Sequence, residues 1–364
     1  MKVGILTFHN AFNFGAILQT YATSESVKSY GHEAEVINYH NKAVDKYYDK
    51  YRFSISKLPR NIKYVIAYLF SCFFFKRKER KYRLFIENFL NLSLHEFKEP
   101  FDKLNGYDVV LIGSDQLWNK GITGGIDPIY WGDFVLDNHS RKVSWSVSMN
   151  DYNYSQVQLE QIQKYLNGLD KISVREPKSR QFLSKLTDKP ILVTLDPTLL
   201  LSSEQWERIC KPVNDRNYVA VYAVKDYDET YKCARIIAKE KGLKVIVIKA
   251  YCGARLSKSL KQDCGPIEFL SYLYSANYVV TSSFHGTVFS ILFKKDFTCV
   301  VPKGVENVRT ESLLNSLGLS DRIGNATSMM TSQGIEYNKV MDKLDLYKSD
   351  TYSFISDVLS GNAN

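Results

Sequence analysis

The sequence is short of the features that mark several protein classes. Its six cysteines (Cys72, Cys210, Cys233, Cys252, Cys264 and Cys299) are dispersed, with no CxxC and no metal-ligand pairing. That excludes a disulfide scaffold and reads as reduced, mostly buried thiols in a cytoplasmic protein. Nine prolines and 19 glycines are too few for a collagenous or low-complexity chain. Gly15 stands alone in HNAFNFGAILQ (9–19), so the GxGxxG fingerprint of dinucleotide binding is missing. The longest apolar run, YVIAYLFSCFFF at 64–75, falls short of the roughly 20 residues that cross a bilayer. The short run after Lys2 is broken by His9 and Asn10. It reads as a first strand, because a secretory signal needs an apolar core of about 7–15 residues.

What is present points to a large folded chain. At 364 residues, 45% of them hydrophobic and with 25 Tyr and 20 Phe, disorder is excluded, and two domains of about 100–200 residues each are expected. The 48 Lys+Arg exceed the 39 Asp+Glu by a formal charge of +9. For this length the excess is modest. It suits an anionic ligand or a membrane surface, and by itself gives no case for nucleic acid.

Apolar runs and helical spacing alternate along the chain. Strands are expected at Val3–Phe8, Glu33–Tyr39, 107–113, 142–149, 171–174 and 191–197, then at 218–224, 243–250, 276–283 and 297–302. Helices are expected between them, including Ile17–Tyr30, 155–168, one opened by Pro177, and those at Asp228–Lys241, Pro266–Ser275 and 285–295. This alternation predicts an α/β fold of two Rossmann-like domains facing a cleft, with ligands beyond the carboxyl ends of the strands. The expected division is 1–205, carrying a basic-aromatic insertion at 45–100 that turns helical after Pro59, then 206–340, then a C-terminal helical segment at 341–364.

Five strand-end motifs carry the candidate chemistry. In TSSFHGTVFS (281–290), an apolar strand ends at Ser283, His285 sits at the turn and Gly286–Thr287 open a helix. A helix start offers free N–H groups to an anion, and an imidazole there can exchange a proton near neutral pH. In SVRE (173–176), Arg175 offers a fork to a carboxylate or phosphate, with an ion pair to Glu176 or Asp170 as the structural alternative. In GSDQLWN (113–119), Asp115, Gln116, Trp118 and Asn119 combine a carboxylate, amides and an indole face, as a sugar site would; the alternative is an Asx-turn beside a buried Trp. Asn10 and Asn13 either shape a turn or line the same cleft. Past the strand at 297–302, Asn307 and Arg309 follow, and Arg309 is a second candidate anion anchor. DPTLLL (196–201) reads as structural, with Asp196 capping a turn.

NFGAILQTYA (13–22), IGSDQLWN (112–119), SVREPKS (173–179), LDPTLLL (195–201), SSFHGTVFSILF (282–293) and NVRTESLLNSLGL (307–319), in this order, resemble the polysaccharide pyruvyl transferase family. The resemblance implies a two-domain fold similar to the GT-B glycosyltransferases, phosphoenolpyruvate as donor and a sugar of a growing glycan as acceptor. The product would be a cyclic pyruvate ketal, made with no metal or cofactor, in capsule or exopolysaccharide biosynthesis. It implies an acceptor side at 1–205 (Asn10, Asn13, Asp115, Gln116, Trp118, Asn119) and a donor side at 206–340. The donor contacts would be Arg175, Ser283, His285, Gly286, Thr287 and Arg309, with His285, Arg175 and Asp115 catalytic. One departure stands out: members with characterised activity often read S-x-R-[L/F]-H at the His turn, and here Ser283 occupies the Arg position. Arg309, Lys294 and Lys303 are the candidates to replace that charge.

In the insertion, a short apolar-aromatic run is flanked by Arg60, Lys63, Lys76, Arg77, Lys78, Arg80 and Lys81. Residues 60–81 suit a helix lying on the inner face of the cytoplasmic membrane, where a polyprenyl-diphosphate-linked acceptor would be found. The alternative is a core helix with a solvated basic end. Two rival functions remain: a glycosyltransferase of similar architecture using a nucleotide sugar, for which Glu306 and Asp296 are faint ribose candidates, and a non-catalytic glycan- or lipid-binding relative.

Overall fold

The computed structural model describes residues 1–49, 51–59, 61–98, 103–137, 139–253, 257–301, 308–326 and 334–360. Arg60, Lys303, Glu306 and Asn307 lie outside the described residues, as does the Lys63 side chain.

Two parallel sheets organise the chain. The first is built from β1 (Lys2–Leu6), β2 (Glu33–Tyr39), β3 (Leu92–Phe97), β4 (Val109–Ile112), β5 (Arg141–Val147), β6 (Lys171–Val174) and β7 (Ile191–Val193), in the spatial order 3-2-1-4-5-6-7. The second is built from β8 (Tyr218–Ala223), β9 (Lys244–Lys249), β10 (Leu260–Lys261), β11 (Tyr278–Thr281), β12 (Phe297–Val300) and β13 (Ile323–Gly324), in the order 10-9-8-11-12-13. Both orders are the doubly wound pattern, whose direction reverses beside the first strand and opens a crevice at the carboxyl ends. The short apolar runs VVLI, YVVT and FTCV are buried along their whole length, as expected of strands covered on both faces. The α/β class and the two Rossmann-like sheets agree with the sequence reading. The third strand does not, because β3 lies inside the stretch read as an insertion and pairs in parallel with β2.

Helix α1 (Phe14–Ser29) lies between the halves and is buried on nearly all sides. Its hydroxyl-rich turns survive burial because Thr20 and Thr23 donate to the carbonyls of Ala16 and Gln19, 2.8 Å in each case. At its start Phe14 stacks on Phe269 of the second half, with centroids 4.5 Å apart, so one apolar core runs through both. The final helix, Tyr337–Leu359, returns to the first half. There Thr351 accepts from the Leu195 amide at 2.9 Å, and Tyr352 donates to the Leu200 carbonyl at 3.1 Å.

The insertion forms helix α2 (Lys42–Asp49) and a 28-residue helix, α3 (Ile62–Phe89). The basic cluster at 76–81 is divided: Lys76, Arg77 and Arg80 are exposed, Lys81 is half-buried and Lys78 is turned inward. Lys78 is buried, donates to the carbonyls of Lys249 and Ala250 at 3.1 and 2.7 Å, and stands 4.5 Å from the Phe14 ring centroid. Burial lowers its pKa to about 8. Arg77 pairs with Asp263 at 2.7 Å and Lys81 with Glu268 at 2.8 Å. These contacts tie α3 to the second half. No helix among the described residues is long and apolar enough to cross a membrane.

Candidate active site

Every element of the site leaves the carboxyl end of a strand. After β1, the turn to α1 is closed by Asn13, whose Oδ1 accepts from the Gly15 and Ala16 amides at 2.9 and 3.3 Å. After β4 comes Gly113, where a Cβ would fall 2.0 Å from the Trp145 carbonyl oxygen at φ +134°; only glycine fits. Asp115 follows in the left-handed region, at φ 79°. After β6 stands Arg175 and after β7 Asp196. From the second sheet, β11 runs into helix α4 (Phe284–Leu292), which Ser283 caps and whose first turn holds His285. Arg309 projects from the start of the helix Val308–Leu317.

These side chains form a buried ionic cluster. Asp196 Oδ1 accepts from the Thr198 amide and hydroxyl at 2.9 and 2.5 Å. Its Oδ2 lies 2.7 Å from Arg175 Nη2 and 3.4 Å from His285 Nε2. Burial alone would raise the Asp196 carboxyl, but the Arg175 guanidinium and His285 beside it prevail and hold it well below the usual carboxylate range. Arg175 also donates to Ser114 Oγ at 2.5 Å, while its Nε and Nη1 are buried with no hydrogen-bond partner among the described residues. Arg175 and Arg309 both pack on the Phe284 ring, with guanidinium carbons 5.2 and 5.5 Å from its centroid. Burial first, and Arg175 second, push the Arg309 pKa down; Asp115, 3.7 Å from Arg309 Nη1, opposes them. Two guanidiniums are thus crowded together with donor atoms unspent. That is the arrangement an anion with two acidic groups would complete.

Above the cluster opens a cavity of about 540 Å³ between the two sheets. Of the residues singled out in the sequence, Asn13, Asp115, Gln116, Asn119, Ser283, His285 and Arg309 line it. Arg175 lies beneath, packed on Phe284; among the described residues its ion-pair partners are Asp196 at 2.7 Å and, more loosely, Asp115 at 4.0 Å, rather than Glu176 or Asp170.

Four sites differ from the sequence reading. Trp118 is buried, stacked on Trp131 with centroids 4.2 Å apart, and donates to the Tyr130 carbonyl at 2.8 Å, so its face is closed to a sugar. Asn10 is turned away from the cavity toward Asp45 and His40, at 2.7 and 2.8 Å. The Gly286 amide donates to Ser283 Oγ at 3.4 Å and the Thr287 amide to the Ser283 carbonyl at 3.0 Å, so neither is free for an anion. Gly286 serves instead for close packing, since a Cβ there would lie 2.2 Å from Thr281 Oγ1. Of the candidates to replace the charge missing at Ser283, Lys294 is exposed and away from the cavity, whereas Arg309 lines it.

Sequence reasoning missed several contributors. Asp196 was read as a turn cap, which its Oδ1 is; nothing local signalled that Oδ2 faces His285. The aromatic part of the cavity wall comes from Tyr47 and Tyr48 on α2 and from Tyr251 after β9, with Lys225 and Asn150 beside them. Gly15 matters for space: a Cβ there would fall 2.0 Å from His285 Nδ1.

Two doubly wound sheets meeting at their carboxyl edges over a cavity lined by His285, Asp115 and Arg309 define an α/β enzyme with its site in the cleft between halves. Residues 13–304 match the family described as polysaccharide pyruvyl transferase. The chain belongs to that family, and is a transferase that modifies polysaccharide. Comparison with curated proteins gives no match. Among solved structures it is similar to UDP-GlcNAc 2-epimerase from Neisseria meningitidis (10% identity, all of both chains covered, TM-score 0.45). It is also similar to the glycosyltransferase SnogD from Streptomyces nogalater (11% identity, 98% of this chain and 99% of that one, TM-score 0.43).

Proposed function

We propose that the chain transfers pyruvate from phosphoenolpyruvate to a sugar of a lipid-linked glycan, forming a cyclic ketal. The observation that carries this reading is Arg309 and His285 lining one cavity, with Arg175 and Asp196 buried directly beneath them on the same Phe284 ring and imidazole. Phosphoenolpyruvate presents a carboxylate and a phosphate to the two arginines. Asp196, ionised, faces His285 Nε2 at 3.4 Å and orients the ring, leaving Nδ1 to carry the proton for the substrate. His285 gives that proton to the methylene carbon as C2 becomes oxocarbenium-like. A sugar hydroxyl, its proton taken by Asp115, bonds to C2. The C2–O bond to phosphate then breaks, inorganic phosphate leaves, and a second hydroxyl of the same sugar bonds to C2, returning its proton to His285 and closing the ketal. Gln116 and Asn119 supply hydrogen bonds to the sugar, and Tyr47 or Tyr251 supplies the apolar face that Trp118 does not. Polyprenyl diphosphate is the anchor we propose for the acceptor, met at the membrane surface.

Incubation with phosphoenolpyruvate and lipid-linked oligosaccharide, followed by mass spectrometry, should show a gain of one pyruvate less one water. His285→Ala should abolish the gain while keeping the fold. Full transfer by that variant would remove His285 from the chemistry.

A further inference from the structure

The first turns of α3 bury nothing. From Ile62 to Ser71 no described side chain is buried, and Cys72 is the first that is. Ile62, Ile66 and Phe73 are 73%, 53% and 54% exposed, with Leu69 between them. The spacing i, i+4, i+7, i+11 puts these four on one stripe. Ile55, 77% exposed, adds to it from the preceding loop. That loop is pinned to the helix, since the Ser54 amide donates to the Tyr68 hydroxyl at 2.9 Å and the rings of Phe53 and Tyr68 lie 6.2 Å apart. The result is a braced apolar knob, standing clear of the core.

The same stripe continues into Lys76 and Arg80, both exposed. Between Asp49 and Glu79 the sequence holds no acidic residue; Arg52 and Lys57 pair back to Glu79 and Asp49, and Arg77 to Asp263, so the cationic collar rests on Lys76 and Arg80. Ten residues of helix rise about 15 Å, half the thickness of a bilayer hydrocarbon core of about 30 Å. An apolar tip of that reach, followed by a cationic collar at headgroup depth, matches a leaflet with an anionic surface.

We infer that this knob docks the enzyme on an anionic bilayer surface, with the Ile62–Phe73 stripe among the acyl chains and Lys76 and Arg80 at the lipid phosphates. The knob also leads to the cavity. Tyr51 stacks on Phe75 and on Tyr251 at 5.5 and 6.0 Å, and Tyr251 and Tyr47 line the cavity wall. An amphiphilic acceptor whose tail stays in the leaflet thus meets the site along an aromatic path. That last step rests on the proposed function; the docking does not.

Flotation with vesicles of phosphatidylcholine containing one-third phosphatidylglycerol tests the docking without turnover. The protein should float with them at low salt, less at high salt, and far less with pure phosphatidylcholine. Ile66→Ser/Phe73→Ser should lower bound protein at least tenfold with an unchanged circular dichroism spectrum and melting temperature, and Lys76→Gln/Arg80→Gln should remove the dependence on phosphatidylglycerol. Wild type that stays at the bottom of the gradient, or an Ile66→Ser/Phe73→Ser variant that floats as well as wild type, overturns the inference. So does a dimer that dissociates in that variant, seen by sedimentation, with no vesicle binding by either form. Vesicle binding without pyruvyl transfer would leave the docking standing and remove the proposed function.

Discussion

Gly15→Ala separates the geometry of the site from the stability of the fold. Gly15 sits in the first turn of α1 with no positive φ, so an alanine there meets no backbone strain. Alanine is better than glycine inside a helix by up to about 1 kcal/mol, so the substitution would ordinarily stabilise. Here the new Cβ falls 2.0 Å from His285 Nδ1 and 2.5 Å from Cε1, where ordinary contact needs about 3.5 Å. One of the two must give by about 1.5 Å. If the imidazole moves, it leaves Asp196, now 3.4 Å away, and a misplacement of that order costs about a hundredfold in rate. If α1 moves, the packing of Phe14 on Phe269 loosens, at about 1–3 kcal/mol. A double-mutant cycle reads the clash even without turnover. Thermal unfolding of Gly15→Ala should show a loss in the wild-type background and a gain, or no change, beside His285→Ala, where the ring is gone. An equal effect of Gly15→Ala in both backgrounds would refute the contact and the role drawn from it.

Asp196→Asn should lower kcat for pyruvyl transfer about a hundredfold or more, because the amide removes the charge that faces His285 Nε2 and orients the ring; an unchanged kcat removes Asp196 from the mechanism. Arg309→Met should raise KM for phosphoenolpyruvate at least tenfold, and adding Ser283→Arg to it should restore part of the loss; a KM that does not respond to position 309 shows that the donor is held elsewhere. For pH, burial and then the facing His40 hold the His9 imidazole down at about 4, below the roughly 6.5 of an unfolded chain. The unfolded state therefore binds the extra proton, and the His9 contribution is full above about pH 6.5 and falls as pH drops toward 4, by up to about 3 kcal/mol. Urea titrations of wild type and His9→Gln between pH 7 and 4.5 should show the shallower acid slope in the variant; parallel slopes would refute it.

Much of this architecture is legible because it is local. An apolar run followed at once by Ser, Asp, Arg or His marks a strand ending in the cleft, and this pattern found Asp115, Arg175 and His285. β3 escaped because LSLHEF is an edge strand, largely open to solvent, whose partner β2 is remote in sequence. Trp118 was misjudged for a related reason. Its polar neighbours in sequence suggested a wet site, but its partner is Trp131, across a turn. The Asp196–His285 contact could not be read at all: it joins the carboxyl edges of different sheets, and Asp196 already had a sufficient local role in binding Thr198.

Ser283 and Arg309 are best understood as one exchange. The cluster holds Arg175 and Arg309 against Asp115, Glu176 and Asp196, and Arg309 is already pressed downward by burial and by Arg175. A third guanidinium at position 283 would add a like charge beside the two already crowded there, and a buried charge without a partner of its own costs several kcal/mol. A serine there instead accepts from the Gly286 amide and caps α4, which holds His285 in its first turn. The charge is carried by Arg309, from another helix but onto the same ring and the same cavity. The departure at Ser283 therefore relocates the positive charge, and with it the direction from which the donor is held. This is why the rescue of Arg309→Met by Ser283→Arg is expected to be partial: the second arginine would restore charge to the pocket while giving up the cap beneath the histidine.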